Sequence, residues 1–162
     1  MRNLILMRHA KSSWAKPGLG DHDRPLNGRG RRAATALGHW LRAQGLAPDQ
    51  ILCSPSSRTQ ETCERLGLSL APELHARLYL AEPAEMLGVL RQARGNRVLM
   101  IGHNPGICDF AHALVATPPA HDRFADYPTG ATLVARFDID DWSYLAPGSG
   151  TVQDFVTPHD LG

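Results

Sequence analysis

Short apolar runs separated by stretches of helical period constrain this chain more than any other feature. The runs are NLILMRH, QILCSP, RVLMIGH, TLVARFDI and TVQDFV, with ELHARLYL as a further strand or extended segment. Each is short and apolar, which reads as a buried strand. Between them the period changes. RRAATALGHWLRAQGL sets Leu37, Trp40, Leu41 and Leu46 at helical spacing, with Gly45 near a C-terminal stop. SPSSRTQETCERLGL predicts a helix with Ser54 as N-cap, Pro55 at the first helical position and Gly67 past the end. PAEMLGVLRQAR places Met86, Leu87 and Leu90 on one face, and NPGICDFAHALV predicts a helix opened by a cap residue and a proline. Strands alternating with helices imply right-handed crossovers and a largely parallel sheet covered on both faces. The expected fold is α/β, a three-layer α/β/α sandwich with a mainly parallel central sheet. The last two strands should pair near an edge.

A chain of 162 residues with 43% hydrophobic residues can bury the core of one domain, read as residues 1–162. Its 17 Lys and Arg against 16 Asp and Glu leave a formal net charge of +1. Bulk charge therefore gives no reason to expect nucleic acid or a membrane as partner, and any affinity for anions must come from local clustering. The cysteines, Cys53, Cys63 and Cys108, are odd in number and form no CxxC pair, which fits a reducing cytoplasm. The apolar run Leu4 to Met7 is too short for a signal peptide, and no run reaches the roughly 18 apolar residues of a membrane span. The expectation is a soluble cytoplasmic protein. No HExxH or close ligand pair occurs, so His22, His39, His75, His112, His121 and His159 read as surface or core histidines, and no metal is expected.

In sheets of this kind ligands bind beyond the carboxyl ends of the strands. Here the first strand ends in Arg8-His9, the second in Ser54-Pro55 with Arg58 a helical turn on, and a later one in Gly102-His103-Asn104-Pro105-Gly106. Two arginines and two histidines converge if these strands are neighbours. Arg58 breaks a local rule. A cation in the first turn of a helix opposes the macrodipole by roughly a few tenths of a kcal/mol or more, and a bound anion would compensate it. The set suits a tetrahedral dianion. Arginines bind phosphoryl oxygens bidentately, one neutral imidazole can attack phosphorus, and the other can stabilise transition-state charge. Nearby cations should depress the pKa of the attacking imidazole. GLGDHDRPLNGRG lacks GxxxxGK[ST], which argues against a nucleotide P-loop.

LMRHAKSSW, DRPLNGRG, CSPSSRTQETCE and MIGHNPGI, taken in order, resemble the histidine phosphatase superfamily in its phosphoglycerate-mutase-like branch. The chain is most similar to the small SixA-type phosphohistidine phosphatases, from residue 3 to about residue 158, and YPTGATLVARFDIDDWSYLAPGSG adds to the likeness. The resemblance implies that His9 is the phosphorylated nucleophile, that Arg8, Arg58 and His103 complete a phosphate pocket, and that no cofactor is used. Ala10 stands where the superfamily usually has glycine. Glu82 in YLAEPAEM is the nearest candidate for a proton donor, in a context that matches poorly.

The weak match at the acid bears on the substrate. An ester expels an alkoxide-like group and gains from a positioned acid, whereas the P–N bond of phosphohistidine expels an imidazole that leaves readily once protonated. Only residues 68–82 lie between the second helix and the third, which leaves little material for a cap insertion and predicts an open pocket. The leading reading is thus a metal-independent phosphatase acting on phosphohistidine in a protein, such as a phosphotransfer domain, with a phosphate ion held in the pocket. The alternatives are a phosphatase or mutase for a small phosphorylated molecule, and a phosphoprotein-binding module without turnover. Around the pocket, Ser12 and Asn104 read either as phosphate contacts or as caps, and Lys11 as a rim charge. Asp23 and Arg24 read as a salt bridge or turn beside the site, and Trp14, Trp40 and Trp142 as packing residues.

Overall fold

The structure, a computed structural model, describes residues 1–162. In chain order it runs β1 (Arg2–Arg8), α1 (Gly28–Ala43), β2 (Gln50–Cys53), α2 (Ser57–Arg65), β3 (Glu73–Leu74), α3 (Pro83–Leu90), β4 (Arg97–Gly102), α4 (Gly106–Leu114), β5 (Thr132–Phe137) and β6 (Thr151–Val156). The strands form one sheet in the order β3-β2-β4-β1-β5-β6. Neighbours from β3 to β1 are parallel, and β5 and β6 are antiparallel additions. Of the two late strands, β6 lies at the edge and β5 is sandwiched between it and β1.

Alternation along the strands explains the two covered faces. Ile5 and Met7 of β1 point to one side, where they meet Leu37 and Leu41 of α1 and Cys63 of α2. Leu4 and Leu6 point to the other side, towards Met86 and Leu90 of α3 and Phe110 and Leu114 of α4. The three-layer sandwich with a mainly parallel sheet follows. No helix is long and apolar enough to cross a membrane.

Local details depart from the expectations at element ends. The N-cap of α2 is Ser56, whose hydroxyl accepts from the Thr59 amide; Ser54 and Pro55 precede the helix. Ser54 is otherwise engaged, since its carbonyl accepts from Thr59 Oγ1 and its hydroxyl faces His103. ELHARLYL contains only the two-residue β3 and then a 3-10 turn, Ala76–Leu78, because Leu78 alone of its leucines turns into the core. Asn104 does not cap α4; Pro105 holds that position and the Asn104 amide reaches across to another loop. Trp142 is fully buried and Trp40 half-buried, but Trp14 is exposed and stacks on the Arg24 guanidinium, 3.6 Å from its ring centroid.

Candidate active site

The register of β1 against β4 pairs Arg8 with Gly102, so the next residues, His9 and His103, emerge side by side beyond the sheet. Their ring centroids are 5.3 Å apart. On the far side of β4, β2 ends one step earlier, with Cys53 opposite Ile101, and the chain turns through Ser54 into α2. That turn delivers Arg58. The four residues line a cavity of about 220 Å³ together with Lys11, Ser12, Arg24 and Asn104, among others. His9, Arg58 and His103 are 5%, 3% and 3% exposed.

Each side chain is held by identifiable contacts. The backbone amide of His9 donates to the Gly102 carbonyl, and the amide of Ala10 donates to Thr62 Oγ1, which itself donates to the Arg58 carbonyl. The loop that carries His9 is thereby fastened to both β4 and α2. A Cβ at Gly30 would lie 2.0 Å from the Lys11 carbonyl oxygen, so the glycine lets α1 press directly on this loop. Nδ1 of His9 lies 2.7 Å from the Ala10 carbonyl. A carbonyl can only accept, so the hydrogen sits on Nδ1 and the lone pair on Nε2. Burial, above all, and then Arg8, Arg58 and Arg24 push the His9 pKa down to about 3, against a pull from the Ala10 carbonyl. The imidazole is neutral at pH 7. The cations contribute, but desolvation is the larger cause.

His103 is likewise pushed down to about 3, first by burial and then by His9 and Arg58. Its Nε2 lies 2.8 Å from Ser54 Oγ, and its Nδ1 is buried with no partner. Arg8 Nη1 and Asn104 Nδ2 both donate to the Tyr127 carbonyl. Tyr127 is fully buried at a positive φ of 51° and anchors its loop by donating to the Leu6 carbonyl. Strained backbone of this kind is held by its surroundings and gathers at functional sites. Arg8 Nε, Arg58 Nε, His103 Nδ1 and Asn104 Oδ1 are buried without partners, and all four belong to residues lining this cavity. Unsatisfied buried polar groups are uncommon in folded proteins. Three of the four atoms can donate hydrogen bonds, which suits an anion.

Asp21 supplies part of the compensation that Arg58 requires at the start of α2. Arg58 donates to both the carbonyl and the carboxylate of Asp21, at 2.7 and 3.0 Å. The same carboxylate accepts from Arg24 and from the Tyr79 hydroxyl. These contacts, Tyr79 first and then Arg58, hold the Asp21 carboxyl down at about 2. Arg24 therefore pairs with Asp21 and not with Asp23, and it also donates to Ser12 Oγ. Ser12, a candidate phosphate contact, lines the cavity and accepts from Arg24 through Oγ. Sequence reasoning missed Asp21, Tyr79 and the role of Ser54. The one available signal was an acidic residue in a segment that must lie near an unbalanced arginine. Glu82 is exposed, makes no cap hydrogen bond at the start of α3 and does not line the cavity. Lys11 lies on the exposed rim.

The geometry has parallels among known proteins. The family model of the histidine phosphatase superfamily, branch 1, matches residues 4–84. A Mycobacterium tuberculosis protein named only as uncharacterised is 33% identical over 159 residues, covering 94% of this chain and 99% of its own. The structure named as a candidate phosphohistidine phosphatase SixA from Nakamurella multipartitia superposes with a TM-score of 0.86 at 32% identity, covering 97% of this chain and 96% of that one. The protein histidine phosphatase SixA complexed with tungstate superposes at 0.76 with 24% identity, covering 99% of each chain, and shares the fold.

Proposed function

Because the chain belongs to the histidine phosphatase superfamily, branch 1, we propose that it is a phosphatase that removes phosphate from phosphohistidine in a protein by way of a covalent intermediate on His9. The observation that carries this reading is the His9 tautomer. With Nδ1–H committed to the Ala10 carbonyl, the Nε2 lone pair is free to attack within a cavity rich in donors. The Nε2–P bond forms as the substrate's N–P bond breaks, and the leaving imidazole takes a proton from solvent at the open mouth of the pocket. Water then attacks phosphorus, phosphate leaves, and His9 recovers its lone pair. Arg8, Arg58 and His103 would hold the non-bridging oxygens, where donors fixed in advance stabilise developing charge, while Asn104, whose amide hydrogens go to the Asp126 and Tyr127 carbonyls, would order the loop beside them.

A protein substrate is supported by three features. Residues 68–82, between α2 and α3, contain only the two-residue β3 and a single 3-10 turn, so little chain stands between the cavity and a macromolecule. Glu82 lies outside the cavity lining, which favours a leaving group that needs little help from an acid. The likeness to the Nakamurella structure, at 32% identity over nearly the whole chain, points the same way. In this reading residues 1–162 act as a single cytoplasmic domain with no large cap insertion, using no metal or cofactor.

The test is a side-by-side panel of a phosphohistidine-bearing phosphotransfer domain, phosphoserine, sugar phosphates and an aryl phosphate, with wild type and His9→Ala. The expected result is highest kcat/KM on phosphohistidine and acid-labile 32P label on wild type alone. Full activity in His9→Ala would overturn the mechanism, and preference for a small ester would overturn the substrate.

A further inference from the structure

Beside the catalytic cavity lies a second cleft of about 240 Å³. The two share Lys11 and Thr129 as a common wall. The other walls of the cleft include Arg29, Arg123, Thr157 and His159, and no carboxylate lines it. Of the neighbouring acids, Asp126 holds Arg123, Asp160 is held by Thr157 and His121, and Asp122 lies with Asp160 in a separate adjoining cavity. Lys11 and Arg29 make no salt bridge within the protein. Arg29 also stands in the first turn of α1, which holds no acidic residue of its own, and Glu61 of α2 pairs there with Arg31 and not with Arg29. In a chain of formal net charge +1 this is a local concentration of positive charge and not a general one.

We propose that this cleft receives carboxylates that flank the phosphorylated residue of an acidic protein substrate, a proposal that rests on the phosphatase reading. The side chains favour a protein over a small doubly charged molecule. Lys11, Arg29 and His159 are exposed. Exposed pairs are individually weak and screened by salt. Several of them along a rim steer and orient a large charged partner, whereas a small molecule needs buried, preorganised clamps. The phosphoryl group would enter the catalytic cavity while its acidic neighbours settle across Lys11 onto Arg29.

Two synthetic phosphohistidine peptides, identical except that the flanking positions are glutamate in one and glutamine in the other, test this. Hydrolysis is measured for wild type and Arg29→Glu at low and high salt, with an aryl phosphate and a small bisphosphate in parallel. Binding of fluorescent forms of both peptides to His9→Ala is measured separately. Wild type should prefer the glutamate peptide about fivefold at low salt, through KM, with the preference falling at high salt. Arg29→Glu should abolish that preference. A preference that is absent, or that survives in Arg29→Glu, overturns the proposal. So does an Arg29 dependence seen for a small bisphosphate and not for the peptides. Failure of wild type to hydrolyse any substrate would instead refute the phosphatase reading, and the binding measurement would still decide the charge preference.

Discussion

The hydroxyl of Ser54 lies 2.8 Å from Nε2 of His103, and the other ring nitrogen of that histidine is buried without a partner beside the cavity that His9 and Arg58 line. The Ser56 amide lies 3.5 Å from Ser54 Oγ, at the limit of hydrogen bonding, which leaves the serine hydrogen free to point at His103. In that arrangement Nε2 accepts and Nδ1 carries its hydrogen into the cavity. Ser54 is thus a positioning residue that sets which face of His103 an anion meets. Ser54→Ala should lower kcat on an aryl phosphate about tenfold, the scale of one buried unsatisfied partner. Nitrogen chemical shifts of His103 should report a changed tautomer. An unchanged tautomer with an unchanged rate would remove the role.

Stability should depend on pH through the two histidines. Both have folded pKa values near 3, below the ordinary histidine value. The unfolded chain therefore binds more protons between about pH 3 and 6.5, and stability rises with pH across that window. The contribution is complete above the unfolded value and is lost as pH falls towards 3. Urea unfolding of wild type between pH 7 and 4 should show a fall on the order of a few kcal/mol. In the His9→Ala, His103→Ala double variant that slope should flatten. Asp21, held at about 2, acts in a lower window, with stability lost as pH falls below the ordinary carboxylate value.

Asp21 orders Arg58 without itself lining the cavity. Asp21→Ala leaves the guanidinium present but unheld, so kcat/KM should drop about tenfold, as for loss of a supporting partner. Arg58→Ala removes a charge-stabilising donor and should cost about 10²–10³. Equal losses in the two variants would mean that Asp21 does more than orient.

Gly30→Ala tests how closely α1 presses on the loop that carries His9. The added methyl would lie 2.0 Å from the Lys11 carbonyl oxygen, a backbone atom that cannot swing away. A loss of roughly 1–3 kcal/mol is expected from such overpacking, with reduced activity because His9 and Ala10 shift with Lys11. Wild-type unfolding and kinetics in this variant would show that the loop can yield.

Glu82→Gln should change kcat less than about twofold on an aryl phosphate with a poor leaving group, where a lost general acid would cost about 10²–10⁴. The side chain is exposed at the start of α3 and lies outside the cavity lining. A drop of that larger size would restore Glu82 as the proton donor.

The elements and the four central residues were legible in the sequence for local reasons. Apolar runs of strand length, a helical period with Leu37 and Leu41, and charged or titratable residues directly after Met7 and Gly102 are all properties of neighbouring positions. Where a local signal had two outlets it misled. Ser54 and Ser56 both suit an N-cap, and only the approach of His103 drew the first away. What tertiary structure decided was strand order and register. Placing β4 between β1 and β2, with Arg8 opposite Gly102, sets His9 beside His103 and brings Arg58 to the same cavity. Leu4 to Met7, Ile51 to Cys53 and Val98 to Ile101 are all apolar enough to pair in several orders, so the order depends on which helices can cover both faces at once. Asp21 lies 37 positions from Arg58 and Tyr79 lies 58 from Asp21. Contacts of that range carry no periodic trace in a sequence, and they arise only when the packed sheet brings its loops together.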